Sequence, residues 1–177
     1  MSHALARRAL RGRAVRCVCR IVQVAGGRAL GDALAANATL EVLTLSRAAL
    51  RDRGTAGLAR GLAQNRHLKS LDLSHNGVAA DGAAAVAAAL RGAAGACPLA
   101  ALDLSHNAVG DWGVTGMARS LPAAAALRDL SLQDCDIGPA GAPLVVHVLR
   151  VFAYRRGLEA RVLYNQGATC EPLRQLR

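Results

Sequence analysis

Hydrophobic positions along the chain follow a figure that returns four times. Leu68-Lys-Ser-Leu71-Asp-Leu73-Ser-His-Asn76 recurs 31 residues later as Leu99-Ala-Ala-Leu102-Asp-Leu104-Ser-His-Asn107. Leu40-Glu-Val-Leu43-Thr-Leu45 stands 28 residues before the first copy, and Leu127-Arg-Asp-Leu130-Ser-Leu132-Gln-Asp-Cys135 stands 28 after the second. Within each copy the x-L-x-L-x stretch alternates with period two. That predicts a short strand with leucines inward and polar side chains outward. Apolar residues then keep one frame: Leu50, Val78, Val109 and Ile137 ten residues after the first Leu, and Leu62, Leu90, Leu121 and Leu149 after twenty-two. Leu58, Val86, Met117 and Val145 fall four residues before the latter set, which gives the i, i+4 stripe of a helix. Gly54, Gly82, Gly113 and Gly141 are expected in or just before the helix starts. Repeat lengths alternate between 28 and 31 residues, so the difference belongs in the loop returning to the next strand, where added length costs little.

The same frame extends in both directions. It predicts a basic N-terminal arm or cap over 1–11, a degenerate first repeat over 12–39, and repeats at 40–67, 68–98, 99–126 and 127–157. A partial repeat at 158–170 and a tail at 171–177 complete the chain. The first and last units depart from the pattern, as terminal units of a stacked array must when their outer faces meet water, or as an excised fragment's would. Asn76 and Asn107 sit where the chain leaves the strand, where a buried amide can satisfy backbone groups that lose their ladder; Ala48 and Cys135 hold that slot elsewhere.

The motif L-x-x-L-x-L-x-x-N/C with a full helix per unit resembles the leucine-rich repeats of the ribonuclease-inhibitor type. The resemblance implies an α/β horseshoe solenoid with parallel strands on the concave face and helices on the convex face. The L-D-L-S-H-N units are similar to the repeat region of nucleotide-binding leucine-rich-repeat receptors, although the chain carries no phosphate loop. Leu50-Arg-Asp-Arg53 and Met117-Ala-Arg-Ser-Leu121 resemble more weakly the repeat region of the 78-kDa centrosomal protein. That similarity implies a centrosomal or ciliary repeat protein as an alternative.

Composition narrows the class of function. The 177 residues are 53% hydrophobic but 2% aromatic, so the core is expected to be small and aliphatic. The formal charge of +10 is carried by the ends: seven Arg and no acid over 1–28, and six Arg against Glu159 and Glu171 over 150–177. The body between them sums to −1. Clustered arginine raises nucleic-acid association as an alternative, but the first twenty residues offer no aromatic for base stacking. An Arg-rich, acid-free beginning also has the composition of a mitochondrial presequence, against which the repeat frame from residue 12 argues. Five cysteines at irregular spacing lack the C-x2-C pattern of zinc sites and read as reduced thiols of a cytoplasmic protein. No apolar run approaches the roughly 20 residues of a membrane span.

Stacking turns equivalent positions into columns about 4.8 Å apart. One outward column is Thr44, Asp72, Asp103, Ser131 and Val162; the next is Ser46, Ser74, Ser105, Gln133 and Tyr164. A third, at the strand ends, is Arg47, His75, His106, Asp134 and Asn165. Asp72, Asp103, His75 and His106 have metal-ligand chemistry, but nothing in their spacing fixes a tetrahedron. The serines lack the elbow context of a hydrolase. Trp112 is expected as an exposed or half-packed loop residue, and Phe152 and Tyr154 as part of the end of the array. The expectation is therefore a non-enzymatic protein-interaction scaffold without cofactor or metal. Its binding face would comprise Thr44, Ser46, Arg47, Asp72, Ser74, His75, Asp103, Ser105, His106, Ser131, Gln133 and Asp134.

Overall fold

A computed structural model describes residues 12–16, 22–91, 97–124, 126–148 and, as backbone, 159–161. Six three-residue strands form one parallel sheet in chain order: β1 (Ala14–Arg16), β2 (Val42–Thr44), β3 (Ser70–Asp72), β4 (Ala101–Asp103), β5 (Asp129–Ser131) and β6 (Glu159–Arg161). Register keeps the central residue of every strand in line, Val15, Leu43, Leu71, Leu102, Leu130 and Ala160. A one-residue slip would turn each buried leucine outward, so the hydrophobic pattern itself pins the register. Past the strands the ladder continues, with Leu45 N–H donating to Asp72 O, Leu73 N–H to Asp103 O and Leu104 N–H to Ser131 O at 2.8–3.0 Å.

Four helices alternate with the strands: α1 (Gln23–Ala35), α2 (Arg51–Leu62), α3 (Ala80–Arg91) and α4 (Gly110–Ser120). A fifth, α5, covers residues 142–148. Their inward faces close on the leucine columns in one core of Leu, Val, Ala, Ile137, Met117, Cys97 and Cys135, with no aromatic ring among the described residues. The helices begin before the repeat glycines: Gly54, Gly82 and Gly113 lie inside the first turns of α2, α3 and α4. Glycine lets neighbouring helices approach backbone to backbone. A methyl at Gly57 would stand 2.8 Å from the Arg28 Cα, and one at Gly61 would meet the Gly31 backbone.

Two polar devices tie one repeat to the next. Asp52 Oδ1 accepts Ala79 N–H (2.7 Å) and Gly82 N–H (3.0 Å), capping α3 from the preceding helix. Asp111 Oδ1 likewise accepts Gly138 N–H at 2.7 Å. On the return side, buried Asn65 donates to Leu34 O and Asn37 O and accepts from His67 and Leu68 N–H.

Candidate functional site

The sheet's solvent face presents two cavities with no lining residue in common. Thr44, Asp72, Asp103 and Ser131 flank the buried leucines in register. With Ser70, Ala101 and Asp129 from the preceding outward position they border a groove of about 510 Å³. Asp129 was outside the sequence columns, which were read only from the residue after each buried leucine. The residue before it faces outward too, and Val42 there is 37% exposed. Among the described residues no cation pairs with Asp72, Asp103 or Asp129, so the groove is acidic.

The second column departs from its expected exposure. Ser74 and Ser105 are buried, at 8% and 5% exposure. The strands last only three residues, after which the chain bends and the period-two rule no longer places alternate side chains in water. Ser74 Oγ bridges Ser46 Oγ (2.9 Å) and Asp72 Oδ1 (2.7 Å), and Ser105 Oγ meets Ser131 Oγ at 2.6 Å. Asp72 and Asp103 also accept Ser74 and Ser105 N–H, at 2.9 and 2.8 Å. These serines fasten the turn, while Gln133 is exposed.

The described residues of the third column all sit on left-handed backbone: φ is +59° at Arg47, +56° at His75, +57° at His106 and +52° at Asp134. The conformation turns each N–H toward the neighbouring strand, so that Arg47 donates to Ser74 O, His75 to Ser105 O and His106 to Gln133 O. The side chains are left projecting at the surface. The rings of His75 and His106 stack with centroids 4.2 Å apart and 7° between planes. His106 Nδ1 lies 3.2 Å from Asp134 Oδ2. Partial burial, then the His106 and Arg47 charges, hold His75 below the usual imidazole pKa against the opposing pull of Asp72 and Asp103. Asp72, Asp103, His75 and His106 thus divide between two arrangements, and no group of three or more His, Cys, Asp or Glu among the described residues is disposed to hold a metal ion.

Beneath this column the asparagine slot does what its position predicts. Asn76 Oδ1 accepts Ala48 and Leu50 N–H while its Nδ2 donates to Leu45, Leu73 and Ser74 carbonyls. Asn107 repeats this one unit on, accepting Asn76 and Val78 N–H. At Cys135 a thiol replaces the amide and donates to Leu104 O at 3.1 Å.

Beside Arg47 and His75 a second cavity of about 660 Å³ opens at the strand ends, reaching Gln23, Arg51 and Gly77. Arg51 and Gln23 had no place in the strand columns, because they enter as the first residues of α2 and α1. Trp112 lies in the first turn of α4 rather than in a loop, and is 85% exposed. Val162, Tyr164, Asn165, Phe152, Tyr154 and the arginines of 1–11 lie outside the described residues.

The family described as Leucine Rich repeat matches residues 64–87, 96–118 and 126–142, the stretches that hold β3, β4 and β5. The fold is an α/β leucine-rich-repeat solenoid. A solved structure described as "Leiomodin-1 Actin-Binding Site 2 (ABS2)" shares it, with a TM-score of 0.68 at 16% identity over 85% of each chain. No curated protein matches the sequence. No helix among the described residues is long and apolar enough to cross a membrane.

Proposed function

We propose that this solenoid is a non-enzymatic scaffold of the ribonuclease-inhibitor type that binds a protein partner through its concave strand face. The observation that carries the reading is the in-register ladder, which holds Thr44, Asp72, Asp103 and Ser131 in fixed order around one open groove. A surface fixed before binding loses little conformational freedom when a partner docks. The contacts would come from this column and from Arg47, His75, His106, Gln133 and Asp134, with Ser46, Ser74 and Ser105 supporting them. Asp72, Asp103 and Asp129, with no cation paired to them among the described residues, favour a partner presenting basic side chains to the groove.

The actin-binding description belongs to the leiomodin structure, and at 16% identity the likeness supports the architecture. It favours protein binding as a class, and the acidic groove supports the concave face as the surface that fits. The irregular cysteine spacing and the buried free thiol of Cys97 support action in a reducing compartment such as the cytoplasm.

Proximity labelling with the full chain tests the reading. Asp72→Asn with Asp103→Asn keeps an oxygen for each serine N–H but discharges the groove. With circular dichroism unchanged, the variant is expected to lose a discrete set of neighbours that the wild type labels. An unchanged set would overturn the concave-face assignment.

A further inference from the structure

We propose that the cleft lined by Arg47, Arg51 and His75 at the strand-end edge binds an oxyanion, a carboxylate or phosphate group carried on an acidic peptide segment. It shares Arg47 and His75 with the proposed binding face but does not rest on the acidic groove, because the two cavities share no lining residue.

Two arginines, a histidine and Gln23 line this cleft of about 660 Å³, and none of its seven lining residues is acidic. Arg47 and Arg51 are exposed, and neither forms an ion pair among the described residues. The nearest strand carboxylates, Asp72 and Asp103, are engaged by Ser74 and Ser105 N–H. Two guanidinium groups facing one cavity provide forked donors matched to the planar or tetrahedral oxygens of carboxylate and phosphate. Arg47 and Arg51 would act through their side chains, since Arg47 N–H is committed to Ser74 O and Arg51 N–H to Asn76 O. The cavity is larger than one oxyanion needs, which leaves room for the peptide side chain that bears it.

His75 couples this site to pH. Arg47 and the stacked His106 face it with positive or protonatable groups, Asp72 and Asp103 face it from the strands, and Arg51 lines the same cleft. With the cleft empty, His75 is neutral at pH 7.5. An anion between the arginines offsets their charge and favours the imidazolium, so binding takes up a proton and tightens as pH falls. Uptake of one proton limits the gain to at most about tenfold per pH unit.

Isotope-labelled full chain titrated with a hexaglutamate peptide, and separately with inorganic phosphate, provides the test. The expected result is saturable shifts at the His75 ring and at the Arg47 and Arg51 side chains. Arg47→Gln with Arg51→Gln should weaken binding about tenfold, as loss of two exposed charge-assisted contacts implies. Arg51→Gln alone, which leaves the Arg47 turn untouched, gives a smaller loss in the same direction and serves if the double variant does not fold. Saturation by phosphate marks a phosphate-type ligand, and saturation by hexaglutamate alone a carboxylate-type one; either upholds the site. From pH 7.5 to 6, hexaglutamate affinity should rise in the wild type and stay level in His75→Asn. Shifts that fail to saturate, that spread evenly over other arginines, or that persist in the arginine variants would overturn the proposal.

Discussion

Asn107→Ala should unfold this protein far more readily than its single-residue size suggests. Asn107 Oδ1 accepts Asn76 N–H at 2.9 Å and Val78 N–H at 3.0 Å, and both residues are buried, at 2% and 0% exposure. Truncation leaves both donors without an acceptor where water does not reach. Each orphaned group costs about 1–3 kcal/mol. Leu73, Leu104 and Ser105 carbonyls lose the Nδ2 donor as well. Carbonyls tolerate this better than N–H groups do, so the sum is about 3–5 kcal/mol, against a whole-domain stability of roughly 5–15 kcal/mol. Cys135→Ala provides the internal control in the same slot. It removes a thiol that donates to Leu104 O, a carbonyl that Asn107 Nδ2 still reaches at 2.8 Å, and that serves Asn107 N–H only as a weak sulfur acceptor, so it should cost about 1 kcal/mol. Equilibrium urea unfolding measures both variants, and hydrogen exchange should show protection falling at the Asn76 and Val78 amides. An Asn107→Ala variant no less stable than Cys135→Ala would refute the assignment of the amide as the acceptor that carries the turn.

Four further substitutions or treatments follow from the packing. Gly61→Ala places a methyl in the Gly31 backbone and forces α1 from α2; a loss of about 1–3 kcal/mol is expected by thermal melting, well beyond that of Gly116→Ala, whose methyl meets only the Ala84 side chain at 2.9 Å. Asp52→Ala uncaps α3 from the neighbouring repeat and should cost about 1 kcal/mol in urea, most of it recovered by Asp52→Asn. Thr55 Oγ1 is buried with no hydrogen-bond partner among the described residues, so the isosteric Thr55→Val should raise stability by about 1 kcal/mol. Burial pushes the Cys135 thiol up to about 12 and raises Cys97 as well. Iodoacetamide at pH 8.5 should leave both unmodified until urea is added, as peptide mapping would read. The stability that the protonated Cys135 thiol contributes is complete below the usual thiol range and is lost as pH climbs toward 12.

Leucine spacing made the sheet and its helices legible in the sequence, because one buried column per repeat fixes strand, register and helix face together. The strand-end turns were less legible for a physical reason. Alternation foretells exposure only while the backbone is extended, and Ser74 and Ser105 lie just past that limit, where the bend buries them. Left-handed backbone at Arg47 or His75 leaves no mark in composition, since neither is glycine. Asn37 and Asn65 bind the return loops, yet those loops vary in length and hold no apolar landmark to align them. The Gly27–Gly31 and Gly57–Gly61 pairs were visible as letters, but their meaning needed two helices seen side by side.

The left-handed column also bears on where the partner would act. A non-glycine residue in that region costs about 1 kcal/mol or more, and histidine and aspartate tolerate it better than arginine does. Two residues further on the chain uses glycine in one described repeat, Gly77 at φ of +64°, and otherwise Ala49 and Asp136 at +55° and +54°. At the preceding position it places Arg47, His75, His106 and Asp134 on the strained backbone instead. Their N–H bonds to the next strand would form equally well from glycine, so the turn alone does not call for those side chains. The side chains project into a graded row, cationic at Arg47, aromatic and titratable through the His75–His106 stack, and anionic at Asp134. Ala49 shows that these turns also accept a non-glycine residue with little to offer a partner, so it is the graded row and not the strain that argues for contact with something outside the fold. Arg47→Gly with His75→Gly separates the two effects: stability should hold or rise as the backbone cost is relieved, while oxyanion binding at the cleft should disappear. A variant that lost stability instead would show the side chains to be part of the turn itself.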